Sequence, residues 1–461
     1  MHILDIDTIK VGSITESEYR TQNGELLIPE GVLITEKHLD YMRRRNIFQV
    51  YVKKSAEDES HEILSKEYSL EDLNFDGEIA KQEAEPKHAP RVLDLPEFQK
   101  IKSGREGLEQ LSKSKKASTL DDDIAHGFTP DRPRGPALKQ RLADLSVADR
   151  TPKYKQDMLL LYQKTLREIR YLMKTLADGN SIDGRHIRVI VERFVRIFVA
   201  DKNILLNLAC TKADPEDFLF QHTLNVCLLA ISIAASADFS EEQVVEIGMG
   251  ALLHDAGMLL VPDGIVKKKG KLTEDEWFEI QKHAILGLHL LESVMRLPIT
   301  VPYVAYQCHE RENGKGYPKQ RNARLIHTFA KIVQIADVFE AMSSPRCYRE
   351  AYIPYKAMES AIKMTRQGLL AGDFLRSFLL YLSLFPIGSI VELSNGCIGK
   401  VIKANGTSFA KPVISVLFDS QGKILPTQLI YQEDLRNNSD LQITKAHGPE
   451  FLKGVAIMDG F

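Results

Sequence analysis

The chain has 461 residues, 44% of them hydrophobic and 27% charged, a globular composition long enough for two or three domains. Sixty Lys and Arg against 63 Asp and Glu leave a formal net charge of −3, which excludes the polycationic character of a duplex nucleic-acid binder, so any nucleotide must be held locally. Five cysteines (Cys210, Cys227, Cys308, Cys347, Cys397), odd in number and without a CxxC pair, argue against a disulfide framework and fit a reducing, cytoplasmic setting.

The first run, MHILDIDTIKVG, lacks the basic and apolar regions of a secretion signal. No stretch reaches the roughly 18 uncharged apolar residues that a membrane span needs. Residues 1–54 alternate short β-like runs with turn signals. Asn23-Gly24 lies between Tyr19 and Leu26-Leu27-Ile28, and Val50-Tyr51-Val52 closes the segment, which predicts a small α/β module. From 55 to 150 the texture is mixed charge, with acidic Glu57-Asp58-Glu59, a basic run at 113–116 and the Pro-rich HGFTPDRPRGP. Little apolar periodicity is visible there, and the expectation is a flexible linker.

Helical periodicity then dominates, with apolar positions recurring at three and four in Leu159, Leu166, Ile169 and Leu172-Met173. Two capping boxes, Ser240 with Gln243 and Thr273 with Glu276, mark helix starts. The expectation for 151–383 is a mainly α domain, a helical bundle. After Pro386 the period becomes two, and GSIVEL, CIGKVIKA, PVISVLF and ILPTQLIY are separated by Asn395-Gly396, Asn405-Gly406 and Gln421-Gly422. This predicts a small antiparallel β-barrel over 384–440, followed by a tail at 441–461.

Within the helical stretch His222, His254-Asp255, His283, His309 and Asp337 stand where a polar or charged group is otherwise costly. His222 opens the run TLNVCLLAISIAA, His254-Asp255 closes VVEIGMGALL, and Asp337 interrupts KIVQIADVFEAM. Burying a carboxylate in such a helix costs several kcal/mol unless a cation or donor compensates, and a metal ion does so directly. Imidazole with carboxylate suits iron, manganese or zinc, and an adjacent His-Asp pair can offer one nitrogen and one oxygen. Two ions about 3.5 to 4 Å apart would acidify a shared water and clamp a phosphodiester. Each residue alone reads as a structural histidine or a salt-bridge aspartate; the joint order carries the signal. His289 and His327 read as structural.

That order, completed by CHERENGKGYP at 308–318 and ADVFEAMSSPRCYR at 336–349, resembles the HD-GYP family of HD-superfamily phosphohydrolases. The resemblance spans Tyr154 to about Leu380 and implies a binuclear transition-metal centre, iron or manganese ahead of zinc. It implies His222, His254, Asp255, His283, His309 and Asp337 as metal ligands, with His254 and Asp255 at the catalytic centre and Cys308 as a further candidate ligand. Arg346 and Arg349 match positions that contact the phosphates of cyclic di-GMP, where guanidinium forks suit phosphate oxygens. Gly316, Tyr317 and Pro318 would shape the entrance to the site. The implied reaction is hydrolysis of cyclic di-GMP to pGpG or GMP in bacterial second-messenger signalling. The implied partners, besides cyclic di-GMP, are diguanylate cyclases, other signalling proteins or a second copy of the chain, with no duplex nucleic acid and no membrane.

The chain departs from the family pattern at Cys308, the first histidine of a His-His pair, at Asn313, an aspartate, and at Met258, a lysine. Phe218 occupies the position of a glutamate that accompanies trinuclear sites, which keeps the expectation at two ions. The three departures support an alternative, a weak or inactive domain that senses cyclic di-GMP or docks proteins. The GYP loop sets the chain apart from generic HD nucleotidases.

Overall fold

A computed structural model of the chain describes residues 2–6, 9, 19–21, 26–28, 34–35, 38–39, 42–43, 45, 47, 49–52, 91–96, 98–129, 131, 134–142, 151–209, 218–344 and 351–448. Two compact units emerge, one of 1–82 with 141–150 and 196–202, the other of 83–140, 151–195 and 203–461. In the first, strands β1 (His2–Asp5), β2 (Tyr19–Arg20), β3 (Leu26–Ile28) and β4 (Gln49–Val52) pair antiparallel in the order β1-β4-β2-β3. Ile6, Ile28, Ile34, Met42 and Val50 form its buried core.

The helices follow in chain order as α1 (Gly104–Ser112), α2 (Lys115–Ile124), α3 (Pro152–Ala177), α4 (Gly184–Ala200), α5 (Ile204–Ala209), α6 (Phe218–Ser236) and α7 (Glu241–Leu253). After α7 come α8 (Asp263–Val266), α9 (Glu274–Gln281), α10 (His283–Leu291), α11 (Thr300–Gln307), α12 (Thr328–Ser343), α13 (Pro354–Arg366) and α14 (Gly372–Leu382). A short parallel pair, β5 (Ile182–Asp183) with β6 (Val294–Met295), ties the start of α4 to the end of α10. Both capping boxes form: Ser240 and Thr273 each accept the backbone N–H three residues on, and Gln243 and Glu276 reach back. Thr151 caps α3, accepting from the Tyr154 N–H with Pro152 in the first turn, so the helical domain begins where its sequence signals begin.

Helix α6 is the axis of the second unit, packed by α5, α7, α12 and α14 and buried from Phe220 through Ala235. It is also long and apolar enough to cross a membrane by length and composition, although the sequence reading found no such stretch. With 89% of its apolar window buried, it serves as a core helix. A helix apolar on all sides needs neighbours on all sides, which fixes the bundle around it.

The linker expectation for 55–150 does not hold over its second half. Residues 53–90 and 143–150 lie outside the described residues, but the described residues of 92–124 form helices laid along α9 and α10. Val92, Phe98, Leu108, Leu111, Ala117, Leu120 and Ile124 are buried there. The Gly104 N–H donates to Glu279 at 2.6 Å, and the buried Lys282 ammonium donates to the Lys102 carbonyl at 2.9 Å. Ser114 bonds His289 at 3.1 Å, and the Phe98 ring meets the same imidazole edge-on, which accounts for His289 as a structural residue. The sequence hid this strap because each helix spends only two or three apolar residues on one face, too few to show a period among the charges. Limited trypsin digestion is therefore expected to leave 91–131 attached to the helical unit. Early cleavage after Lys113, Lys115 or Lys116, located by mass spectrometry of the fragments, would contradict this packing.

At the C-terminus β7 (Ile390–Leu393), β8 (Ile398–Lys403), β9 (Val413–Phe418), β10 (Tyr431–Asp434) and β11 (Ile443–His447) form an antiparallel sheet in the order β10-β9-β8-β7-β11. Val391, Leu393, Val401, Ile414 and Val416 supply its core. Two expectations change. The sheet's end strands, β10 and β11, are not paired with each other among the described residues, so closure into a barrel is not seen. The tail begins later than 441, because β11 pairs with β7. Short alternating runs reveal strands but not which edges meet.

Candidate metal centre

The helical unit brings His222, His254, Asp255, His283, His309 and Asp337 to one place from separate elements. His222 comes from the first turns of α6, His254 from the C-cap of α7, Asp255 from the following turn, His283 from the start of α10, His309 from just after α11 and Asp337 from the middle of α12. All are buried, His254 completely.

Hydrogen bonds on the far side of the His222, His254 and His283 rings set their tautomers. The His254 Nδ1–H donates to the Ala251 carbonyl at 2.7 Å and the His283 Nδ1–H to the Ile280 carbonyl at 2.6 Å. A carbonyl only accepts, so the proton is on Nδ1 and the Nε2 lone pair faces inward. His222 is held the same way by Glu340, a buried carboxylate that also accepts from the Asn225 amide at 3.1 Å and the Ser344 hydroxyl at 2.6 Å. Glu340 escaped the sequence reading. Its signal was its place three residues after Asp337 and that of Asn225 three residues after His222, which puts each on its neighbour's helix face.

The inward nitrogens converge on two carboxylates. From Asp255 Oδ1, His283 Nε2 is 3.2 Å away, His309 Nε2 3.3 Å and His254 Nε2 3.4 Å, while His222 Nε2 is 3.6 Å from Oδ2. Asp337 lies 3.3 Å from His222 Nε2 and 3.6 Å from His309 Nδ1.

Nε2 of His254 and of His283 are buried without a hydrogen-bond partner. Orphaned lone pairs facing a carboxylate are costly in a finished core and are what a cation would satisfy. Three residue sets bring ligand atoms within 4.8 Å of one another: His222 with His254 and Asp255, Asp255 with His283 and His309, and His254 with Cys308 and His309. The first two share Asp255, so its two oxygens could serve neighbouring ions. The residues fit a transition-metal centre.

The loop after His309 forms one wall. Tyr317 stacks on His309 at 5.0 Å between centroids and 11° between planes, and meets His283 and Trp277 edge-on. Burial and the two nearby carboxylates push its phenol well above the usual range, so it stays protonated. Glu310, buried, accepts the backbone N–H groups of Lys319 and Arg321 at 2.8 Å each and so ties the loop's exit to its entry. Gly316 lies so close to Glu310 that a Cβ there would come within 2.4 Å of the Glu310 and Arg311 backbone; no other residue fits.

The departures from the family pattern have distinct surroundings. Cys308 is fully buried, and burial with the charges of Asp337 and Asp255 drives its thiol well above the ordinary value. Asn313 braces the loop, accepting from the Lys315 N–H at 3.1 Å. Met258 is half-buried. His327 caps α12 and pairs with Asp131 at 3.1 Å, a structural role as expected. Arg346 and Arg349 lie outside the described residues.

Residues 206–370 match the family model of the HD domain, and 390–454 match that of the KOW domain associated with HD domains. The chain is 30% identical over 254 residues to a cyclic di-GMP phosphodiesterase of Pseudomonas aeruginosa, covering 55% of this chain and 60% of that one. It is 41% identical over 121 residues, 26% of this chain and 32% of the other, to the cyclic di-GMP phosphodiesterase response regulator RpfG of Xanthomonas campestris. The 3'3'-cGAMP-specific phosphodiesterase 1 of Vibrio cholerae is 33% identical over 132 residues, 29% of this chain and 30% of the other. The chain thus spans less than two thirds of each of these relatives, 60% of the first and about a third of the others.

Proposed function

Because its helical domain belongs to the HD-GYP family of HD domains, a family of phosphodiesterases, we propose that this protein is a metal-dependent phosphodiesterase that hydrolyses cyclic di-GMP to pGpG or GMP. The observation that carries the reading is the pair of buried, unpartnered Nε2 atoms on His254 and His283, facing a carboxylate shared by two candidate ligand sets. His222, His254, Asp255, His283, His309 and Asp337 would hold two ions, iron or manganese, with Asp255 common to both. When bound, the ions supply a water acidified toward neutral pH and a positive clamp on the phosphodiester oxygens.

The chain's own residues do the rest. Ala251, Ile280 and Glu340 fix which imidazole nitrogen carries the proton, so the ligands need no reorganisation on binding. Tyr317, protonated and stacked on His309, shields one side of the centre from solvent. By family resemblance Arg346 and Arg349 contact the dinucleotide phosphates, and Gly316-Tyr317-Pro318 shapes the entrance. A cytoplasmic setting accords with the free thiols of Cys227, Cys308 and Cys397. Diguanylate cyclases and a second copy of the chain remain the proposed protein partners.

The test is to strip the purified chain of metal, reload it anaerobically with Fe²⁺ or with Mn²⁺, and follow cyclic di-GMP and 3'3'-cGAMP by chromatography. The expected result is about two ions per chain and metal-dependent conversion of cyclic di-GMP to pGpG or GMP, faster than any loss of the mixed dinucleotide. Cys308, standing where the family pattern has a histidine, supports the slow or sensing alternative. Cys308→His should then raise both occupancy and rate, by about ten-fold if one second-ion ligand is restored. Fully loaded protein that binds cyclic di-GMP but turns over neither dinucleotide, with or without Cys308→His, would replace the enzyme reading by the sensing one.

A further inference from the structure

The strap at 91–131 lies outside the HD match, yet one of its side chains reaches the loop that carries Tyr317. Asp121, on α2, accepts from three donors of the helical domain. The Tyr306 hydroxyl donates to Oδ1 at 3.0 Å, the Arg321 guanidinium donates to the same oxygen, and the Lys319 ammonium is 2.8 Å from Oδ2. Lys319 also donates to the Ser112 carbonyl at the end of α1, at 2.9 Å. Arg321 is buried, lies over the Tyr306 ring at 5.1 Å and leaves its other terminal nitrogen without a partner. Its charge is compensated there by Asp121.

Lys319 and Arg321 are also the residues whose backbone N–H groups Glu310 accepts, and Glu310 adjoins His309 in the chain. The path of contact is short: Asp121 to the side chains of Lys319 and Arg321, their amides to Glu310, and Tyr317, two residues before Lys319, stacked on His309. We propose that Asp121 is a positioning residue for the His309 and Tyr317 side of the metal centre, so that the strap is part of the working site and not a spacer before it. The proposal rests on the reading of His309 as a metal ligand. Without the carboxylate, a buried guanidinium loses its counter-charge and the loop exit loses the partner that fixes it.

The chain's single tryptophan, Trp277, touches Tyr317 edge-on at 5.8 Å and reports on the loop without any need for turnover. In the full chain, Asp121→Asn is expected to change the acrylamide quenching of Trp277 and to raise the Kd for Mn²⁺, titrated alone, by about ten-fold, the low end for losing an outer-shell support. Asp121→Glu, which keeps the charge, should recover most of both. Lys116→Ala, which cuts an exposed strap contact to Glu292 away from the loop, should change neither. Wild-type quenching and Mn²⁺ affinity in folded Asp121→Asn would overturn the proposal, as would equal losses in Lys116→Ala or no recovery in Asp121→Glu. Should Asp121→Asn fail to fold, Lys319→Gln, which leaves Arg321 and Tyr306 on the carboxylate, carries the same quenching and titration test. If wild type takes up no Mn²⁺, the metal reading itself falls, and Trp277 quenching still decides whether Asp121 holds the loop.

Discussion

Asp255→Asn is expected, on the proposed function, to empty the proposed metal centre and to lower cyclic di-GMP turnover by at least about a thousand-fold, the scale of losing the water activation and charge stabilisation that the ions would supply. The substitution keeps the side chain's shape but removes its charge and turns one acceptor oxygen into a donor, at the position where charge matters most. Four imidazole nitrogens lie between 3.2 and 3.6 Å from the Asp255 oxygens, and two of the three candidate ligand sets include it. Loss of His222 or His283 would weaken one set; loss of Asp255 weakens both and removes the charge that could bridge them. Glu340→Gln makes the graded comparison, because it leaves every ligand in place and disturbs the hydrogen bonds that orient His222, together with those from Asn225 and Ser344. A fall of about ten- to a hundred-fold in metal affinity is expected there. Elemental analysis after desalting, with initial rates at saturating substrate, measures both. Asp255→Asn protein with wild-type metal content and rate would remove Asp255 from the centre.

The six converging residues were legible through their joint order, which resembles a family pattern; the apolar runs around His222, His254-Asp255 and Asp337 sharpened that signal, since an ionisable group in an apolar helical run needs a reason, while His309 stands in a polar run and was marked by the order alone. The bundle itself was legible for the opposite reason, that period, caps and boundaries agreed, as at Thr151, Ser240 and Thr273. What failed to show was anything whose signal lies in a partner far along the chain. Glu340 looks like an ordinary acidic residue near a helix end until its carboxylate is seen holding His222. Asp121 belongs to a DDD run that reads as a solvated surface, and its three donors are 185 to 200 residues away. The order of the strands in the sheet was hidden on the same ground. Alternation locates strands, whereas the pairing of β11 with β7 joins residues some fifty positions apart and leaves no trace in either run.

Gly257→Ala is expected to be the most damaging single-methyl change in the helical domain. Gly257 follows the His254-Asp255 pair by two residues, in the turn that crosses the start of α10. A Cβ there would lie 2.0 Å from the His283 carbonyl oxygen and 2.4 Å from the Gly287 nitrogen, both backbone atoms with no rotamer to move aside. The clash must push the turn and α10 apart by about an ångström or more, at a cost of about 1 to 3 kcal/mol or above, as for other overpacked cores. The displacement falls across the 3.2 Å gap between Asp255 and His283, so metal affinity should drop with stability, where an ordinary core defect would lower stability alone. Gly264→Ala, placed where a Cβ meets nothing within 4 Å, provides the control and should leave melting and metal content unchanged or slightly improve stability. Thermal melts of metal-free and Mn²⁺-loaded protein separate the two effects. The stabilisation that Mn²⁺ gives the wild type should shrink in Gly257→Ala and persist in Gly264→Ala. If Gly257→Ala melts lower but keeps the full metal-dependent shift, the turn supports the fold without setting the distance between Asp255 and His283.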